Sequence, residues 1–406
     1  MERLLVIGPG EEAYRRYALE QMSRSYELVL IAGAPERWER AFVADAVVAD
    51  VTDAAAVVAA ALDIQSRQRV GGVLTWDEAA LGPAAAVAAK LGLPSPPATV
   101  LACRDKWRQR EAFASTAVPS ARAGFADTVE EAERCAAEVG YPVVVKPRRL
   151  AGSIAVRRAD SPIELRRAAT DALAAADFRL GTSGGVVVEE FLDGPEISVD
   201  SWVADGAAEP VVLAYKTTGF PPHFEETGHL VPDEVDSRLW AAVRDVVVQA
   251  HAALKLTRLV THTELRLTVD GPKVVEVNGR LGGGLIPYLG YLASGQSLAV
   301  AAADVAMGRE PNLERRWRRA AAIAFCYPPH DMVLGRVEFD AELERDSHVE
   351  RALQLAPAGS DLLLPPRGFM ARAAMLLVTA ETAAECRERL AAASGMVSLH
   401  AIAPEQ

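Results

Sequence analysis

Thr261-His262-Thr263-Glu264-Leu265-Arg266-Leu267-Thr268-Val269-Asp270-Gly271-Pro272-Lys273-Val274-Val275-Glu276-Val277-Asn278-Gly279-Arg280 runs on into Leu281-Gly282-Gly283-Gly284. Leu265, Leu267 and Val269 alternate with period two, as do Val275 and Val277, and Asp270-Gly271 is a turn signal between them. The stretch therefore reads as two antiparallel strands. Glu264 and Arg266 share one face of the first strand, and Glu276, Asn278 and Arg280 share one face of the second. Burying both apolar faces together requires residues of like parity to pair, which calls for a connection of three or five residues. That register sets Glu264 beside Glu276 or one pair away. Opposed carboxylates, with Cβ atoms about 4.5–5.5 Å apart, repel each other. Two glutamates and an asparagine on one open face thus suit a hard cation such as magnesium, which takes oxygen ligands and is commonly completed by substrate phosphates. Arg280 can grip a carboxylate or phosphate through two hydrogen bonds. The competing reading is an amphipathic hairpin with a solvated polar face; the glycines after Arg280, which let backbone approach a ligand closely, weigh against it.

A chain of 406 residues exceeds a single core and points to two or three domains. Half of it is hydrophobic and 24% charged, as in soluble globular proteins. The net charge of −12 argues against non-specific nucleic-acid binding. Cys103, Cys135, Cys326 and Cys386 are scattered without metal-ligand spacing and read as reduced thiols. The first apolar run is too short for a signal peptide, and alanine-rich segments are broken by charges before they could span a membrane. A soluble, cytoplasmic protein without membrane or nucleic-acid partners is expected.

From the N-terminus, strands at Leu4–Ile7, Leu28–Ile31, Ala44–Ala49 and Val70–Leu74 alternate with helices at Glu11–Met22, near Ala54–Leu62 and at Ala79–Leu91, which implies a parallel sheet over residues 1–98. Gly8-Pro9-Gly10 suggests a dinucleotide loop only in part, since Ala13 stands where the third glycine of the pattern belongs. Thr75-Trp76-Asp77-Glu78 closes a strand at the end where such sheets bind ligands, but Asp77 and Glu78 read more simply as acids at a helix start. Pro94-Ser95-Pro96-Pro97 marks a boundary. Arg104-Asp105-Lys106 sits on a following helix. Val143-Val144-Val145-Lys146 is a strand ending on a lysine, before a small-residue loop with Gly152-Ser153. Point charge and backbone amides together suit a phosphate cradle, although no P-loop signature exists and Lys146 taken alone reads more simply as a solvated strand-end lysine. Val186–Leu192 is a strand whose end, beside Phe191 and Leu192, suits a purine edge, with Glu196 placed for ribose hydroxyls; a hairpin with a polar turn is the bland alternative. Lys216–Pro232, rich in Gly and Pro, reads as a long loop in which Glu226 and His229 bind a substrate amine and carboxylate, or as a surface excursion. Helices follow near Val235–Leu254 and Leu298–Met307. The last hundred residues are mixed α/β, with strands near Ala321–Cys326 and Ala373–Val378, a helix near Ala380–Ala393 and no catalytic pattern.

Taken in order, Lys106, Lys146 in Tyr-Pro-Val-Val-Val-Lys-Pro, Gly152-Ser153, Glu189-Glu190-Phe191-Leu192 with Glu196, Glu264, and Glu276-Val277-Asn278-Gly279-Arg280 resemble the successive motifs of the ATP-grasp superfamily. Phe224-Glu225-Glu226-Thr227-Gly228-His229 and Arg280-Leu281-Gly282-Gly283-Gly284 look like those of its L-amino acid ligases, which make dipeptides and related amides. The resemblance implies an α/β fold of α+β type: a Rossmann-like pre-ATP-grasp domain at 1–98, an ATP-grasp domain at 99–308 with a lid at about 113–190, and a C-terminal mixed α/β domain at 309–406. It implies that Lys106 and Lys146 bind ATP phosphates, Glu189, Phe191 and Leu192 the adenine, and Glu196 the ribose. It implies that Glu264, Glu276 and Asn278 hold magnesium, two ions in number, with manganese as the alternative. Arg280 and the Gly282 and Gly283 amides would stabilise an acyl phosphate and its tetrahedral adduct, Ser153 would close over the site, and Glu226 and His229 would contact an amino-acid substrate. Gly284 would leave space behind Arg280 for an acyl group larger than alanine. Phosphoryl transfer is mainly positioning and charge neutralisation, so these residue types suffice. A γ-glutamyl-type ligase, a purine-pathway or carboxylase-type enzyme, and a non-catalytic nucleotide-binding protein are the alternatives; the chain has no Met-Lys-Met biotinylation site. Oligomeric state is open, with a homodimer as one option.

Overall fold

In a computed structural model, which describes residues 1–177 and 179–402, the N-terminal segment forms β1 (Arg3–Ile7), β2 (Glu27–Ala32), β3 (Val43–Val48) and β4 (Gly72–Leu74) with helices α1 (Glu12–Ser23), α2 (Ala54–Arg67) and α3 (Leu81–Leu91). The strands are parallel in the order β3-β2-β1-β4. β1 and β2 are nearly all buried, as near-continuous apolar strands flanked by helices must be. Asp77 caps the short 3₁₀ turn Glu78–Ala80, accepting from the Ala79 amide at 3.1 Å, so it takes the simpler role.

After α4 (Lys106–Ser115), the segment expected to be a lid contributes β5 (Ala123–Ala126), β6 (Val143–Pro147), β7 (Arg157–Ala159) and β10 (Val186–Glu190), which form an antiparallel sheet ordered β5-β10-β6-β7. Helices α5 (Val129–Val139) and α6 (Pro162–Ala174) belong to it, with a small ribbon of β8 (Ala176–Asp177) and β9 (Gly181–Thr182). Thr128 and Glu131 form a reciprocal capping box at the start of α5.

The central sheet has eight strands in the order β15-β14-β11-β12-β13-β16-β20-β18. Its members are β11 (Glu196–Ala204), β12 (Ala207–Gly219), β13 (Glu225–Val231), β14 (Leu259–Thr268), β15 (Gly271–Asn278), β16 (Ala320–Cys326), β18 (Val349–Gln354) and β20 (Ala374–Ala380). Strands from beyond residue 309 thus continue the same sheet. Helix α7 (Ser237–Ala253) packs on one face with Phe113 of α4; α8 (Ile286–Ser294), α9 (Leu298–Ala306) and α1 share a core on the other. A three-stranded sheet, β19-β17-β21, joins β17 (Met332–Phe339), β19 (Asp361–Leu362) and β21 (Val397–Ala401), near α10 (Ala383–Ser394). Among the described residues no helix is long and apolar enough to cross a membrane, and the four cysteines are free.

Two expectations are corrected. Residues 216–232 are not a long loop: they form the end of β12 and all of β13, joined by residues 220–224. Charged side chains on buried positions of these strands hide the usual period-two signal. The β14–β15 connection is also shorter than parity demanded. Thr268 pairs with Gly271 across a two-residue turn, which matches Leu265 with Val274. A β-bulge at Val275 then shifts the register, so that Glu264 pairs with Glu276 and His262 with Asn278. Leu265, Val274 and Val277 are buried, Val275 faces the cleft described below, and Val269 stands exposed at the turn.

β15 is an edge strand whose outward backbone groups need partners. Gln109 of α4 accepts from the Val277 amide at 2.8 Å and donates to the Val277 carbonyl at 3.1 Å and the Cys103 carbonyl at 2.9 Å. Arg110 donates to the Val275 carbonyl, and the Val274 amide donates to the Pro119 carbonyl at 2.8 Å. Gln109→Leu keeps volume but orphans these buried groups, and is expected to lower stability by about 2–4 kcal/mol. A thermal melt indistinguishable from wild type would show that α4 is not needed to hold the hairpin.

Candidate active site

A cleft of about 1360 Å³, open mouth included, lies between the lid, the β11–β15 end of the central sheet and the segment around Met370. Most residues singled out from the sequence line it. Lys106, Lys146, Ser153, Glu189, Phe191, Leu192 and Glu196 form one end; Glu264, Glu276, Asn278, Arg280, Gly283, Gly284 and Glu226 form the other. Gly282 and His229 do not line it.

At the lid end, β6 ends in Lys146, whose Nζ lies 2.7 Å from Glu189. Arg110 takes the other carboxylate oxygen at 2.8 Å. Burial alone would raise the Glu189 carboxyl, but the two cations overcome it and hold it at about 2. The Glu189 side chain is therefore spent on fixing Lys146, and an adenine would meet the strand end beyond it. There the Phe191 amide already donates to the Pro142 carbonyl at 3.1 Å, and Arg158 lies over the Phe191 ring. Glu196 is likewise engaged, by Lys216 at 2.9 Å and Arg266 at 2.8 Å. Lys106 Nζ donates to the Leu150 carbonyl at 2.6 Å and sits 3.1 Å from Glu276, joining the lid loop to the hairpin. In that loop Gly152, Ser153 and Ala155 all adopt left-handed backbone, which small side chains tolerate best.

The feature missed in the sequence is Lys216. Its side chain is 2% exposed, and its Nζ meets Glu226 at 2.7 Å, Glu196 at 2.9 Å and Glu264 at 3.1 Å. Burial opposes its charge, yet the three carboxylates raise its pKa well above the usual lysine value. Beside it His262 Nδ1 is 2.6 Å from Asp200, and its Nε2 is 3.5 Å from Glu264. Against burial, Asp200 and Glu264 raise the imidazole to about 9. No local sequence signal pairs residues 200 and 262; only the β11–β14 register does so.

Glu264 and Glu276 are direct cross-strand partners, both partly exposed to the cleft, with Asn278 one position along. Among the described residues, no three His, Cys, Asp or Glu side chains converge as a ready-made metal cage. Two carboxylates and an amide oxygen instead fit a magnesium site finished by phosphates. Lys106 pairs with Glu276 and Lys216 with Glu264, each at 3.1 Å.

Arg280 Nε is 2.7 Å from Glu78 in the 3₁₀ turn that follows β4, so the N-terminal segment fixes this arginine at the cleft. Two glycine assignments change. A Cβ at Gly284 would overlap the His229 ring, so the space behind it is filled; open space lies at Gly283. Gly282 packs against the His262–Asp200 pair, its missing Cβ 2.8 Å from His262 Nδ1. His229 is also reassigned. Its ring is fully buried, set edge-on to Phe325, with neither nitrogen hydrogen-bonded. Burial, opposed by Glu226 and assisted by Lys216 and Arg372, lowers its pKa to about 3, so it is neutral and shielded from a substrate carboxylate. The C-terminal segment, silent in the sequence, contributes Met370 and Arg372 to the cleft.

Residues 139–287 match the family model of the ATP-grasp domain. Over 271 residues the chain is 31% identical to an uncharacterized protein, y4rH, of Sinorhizobium fredii, covering 66% of this chain and 55% of that one. It is 32% identical over 212 residues to phosphoribosylamine–glycine ligase of Lactococcus lactis (48% and 49% covered) and 28% over 240 residues to alanine–anticapsin ligase of Bacillus subtilis (53% and 50%). The chain thus spans about half the length of these curated relatives. The fold is similar to that of an L-amino acid ligase from Bacillus licheniformis, with a TM-score of 0.83 at 23% identity and 99% of each chain covered.

Two outcomes are expected from this geometry. Lys216→Met strands three carboxylates without their cation and should destabilise the fold by about 3–5 kcal/mol. Magnesium should then raise the melting temperature of the variant more than that of wild type; equal shifts would separate Lys216 from any cation site at these carboxylates. His229, neutral when folded, is protonated in the unfolded chain below about pH 6.5. Stability should therefore fall as pH drops from 6.5 toward 3, by up to about 1.4 kcal/mol per unit from this residue. In His229→Gln, urea midpoints across that range should decline less steeply than in wild type; parallel curves would contradict the assignment.

Proposed function

We propose that this chain, which has an ATP-grasp fold and a matched ATP-grasp domain at residues 139–287, is an ADP-forming carboxylate–amine ligase. Its expected substrates are an amino acid activated through its carboxylate and a second amino acid as the amine. The observation that carries this is the convergence in one cleft of two lysines from the lid side, the opposed pair Glu264 and Glu276, and Arg280.

A carboxylate oxygen attacks the γ-phosphorus of ATP, forming an acyl phosphate and releasing ADP. The amine nitrogen then attacks the acyl carbon. A C–N bond forms, the C–O bond to phosphate breaks, and inorganic phosphate leaves as the nitrogen gives up its extra protons. Lys106 and Lys146 neutralise phosphate charge, and the Ser153 loop excludes water from the acyl phosphate. Arg280, held by Glu78, faces the oxyanion of the adduct with the Gly283 amide beside it. Glu264, Glu276 and Asn278 would hold magnesium or manganese, which would supply charge neutralisation at the phosphoryl group. Neither step calls for a nucleophilic side chain. A phosphoribosyl amine substrate is the competing reading, given the phosphoribosylamine–glycine ligase relative. An amino-acid amine is favoured by the acid–base pair Glu226 and Arg372 at the substrate end.

Glu276→Ala is expected to abolish amino-acid-dependent ADP release with the fold intact, and normal turnover in that variant would remove the metal assignment. Arg280→Ala should lose at least about 100-fold in product formation, the scale of a lost oxyanion donor, while nucleotide binding persists. Phosphate release across a matrix of paired amino acids, with products weighed by mass spectrometry, identifies the substrates. Formation of AMP and pyrophosphate would refute the acyl-phosphate route.

A further inference from the structure

With His229 sealed behind Gly284, Glu226 has lost the neighbour expected to receive a substrate's carboxylate. Another residue stands in that position. Arg372 lines the cleft from the segment preceding β20, with a side chain only 12% exposed. Its guanidinium is held over the Phe325 ring at 3.7 Å. Nε donates to the Tyr327 hydroxyl at 3.3 Å, and Nη2 donates to the Glu226 carbonyl at 3.2 Å. Tyr327 donates in turn to Glu225 at 2.8 Å, and Glu225 also accepts from the Met370 amide at 2.8 Å. The arginine is thus fixed by stacking and by a closed set of hydrogen bonds, while most of its five donors stay available.

Arg372 Nη2 lies 3.7 Å from Glu226 Oε2, and both face the cleft. In an α-amino acid the ammonium and carboxylate are tied through one carbon, roughly 3 Å apart by covalent geometry. An anion and a cation side by side at this spacing form the complement of that zwitterion. A carboxylate bound by Arg372 is not the one being phosphorylated, which belongs beside Arg280 and the lysines. In a ligase that activates an α-carboxylate, as proposed above, the amino acid seated here is the amine donor, and its carboxylate survives in the product.

We propose that Arg372 is a specificity-determining residue that binds the α-carboxylate of the amine-donating amino acid while Glu226 binds its ammonium group. This rests on the ligase assignment above and adds to it the chemical class of the second substrate.

The test measures ATP-dependent phosphate release with a fixed carboxylate donor and three acceptors: a free amino acid, its primary amide and its decarboxylated amine. Wild type should favour the free amino acid. Arg372→Met should raise KM for that acceptor by about 10- to 100-fold, as expected for a lost charge-assisted contact, and leave KM for the amide and amine unchanged. Arg372→Lys should recover part of the loss, and protection of each variant against heat by ADP controls for folding. An unchanged KM in Arg372→Met, or a wild type that uses the decarboxylated amine equally well, overturns the assignment of Arg372 and leaves the ligase intact. A wild type that releases no phosphate with any amino-acid pair overturns the ligase assignment and, with it, the role of Arg372.

Discussion

A single buried ammonium group, Lys216 Nζ, holds the substrate half of this protein together. Glu196 on β11, Glu226 on β13 and Glu264 on β14 all converge on a lysine of β12, so one charge ties four strands. Three carboxylates this close could not remain ionised in a low-dielectric interior without a resident cation. Its presence means that the site's acids are already charged and oriented before any ligand arrives. A preorganised array of this kind avoids reorganisation during reaction, which is where electrostatic catalysis gains most.

The opposed pair Glu264 and Glu276 was legible in the sequence because the two residues belong to one local hairpin, where period and turn fix which faces meet. The device that achieves the register was not legible. Parity called for an odd-length loop; the chain uses a two-residue turn and makes up the missing residue with a bulge at Val275. Both solutions bury Leu265 and Val277 and present both glutamates together. Alternation reveals the required outcome, whereas a bulge leaves no mark on composition.

Other parts of the site were hidden by distance along the chain or by charge. Arg280 depends on Glu78, 202 residues away, and Glu226 lies against Arg372, 146 residues away; nothing local announces either pair. Lys216, Glu226 and His229 sit on strands, but inward-facing charges made those strands look like a polar loop. The N-terminal sheet and the strand ending on Lys146 were readable because each rests on short-range apolar periodicity. The substrate end was not, since it is assembled from hairpin β12–β13, the tail of β15 and a C-terminal segment.

The position of β15 at the edge of the eight-stranded sheet has a consequence beyond the cleft. An exposed edge of β-structure is a template for strands of other molecules, and proteins that leave one open risk self-association into aggregates. Here the outward side of β15 is occupied by Gln109, Arg110 and the Pro119 carbonyl. The contacts that set the strand carrying Glu276 also stop the sheet from growing onto a neighbouring molecule. The same few residues of α4 therefore serve two ends at once, closing the sheet edge and fixing the hairpin that carries Glu264 and Glu276.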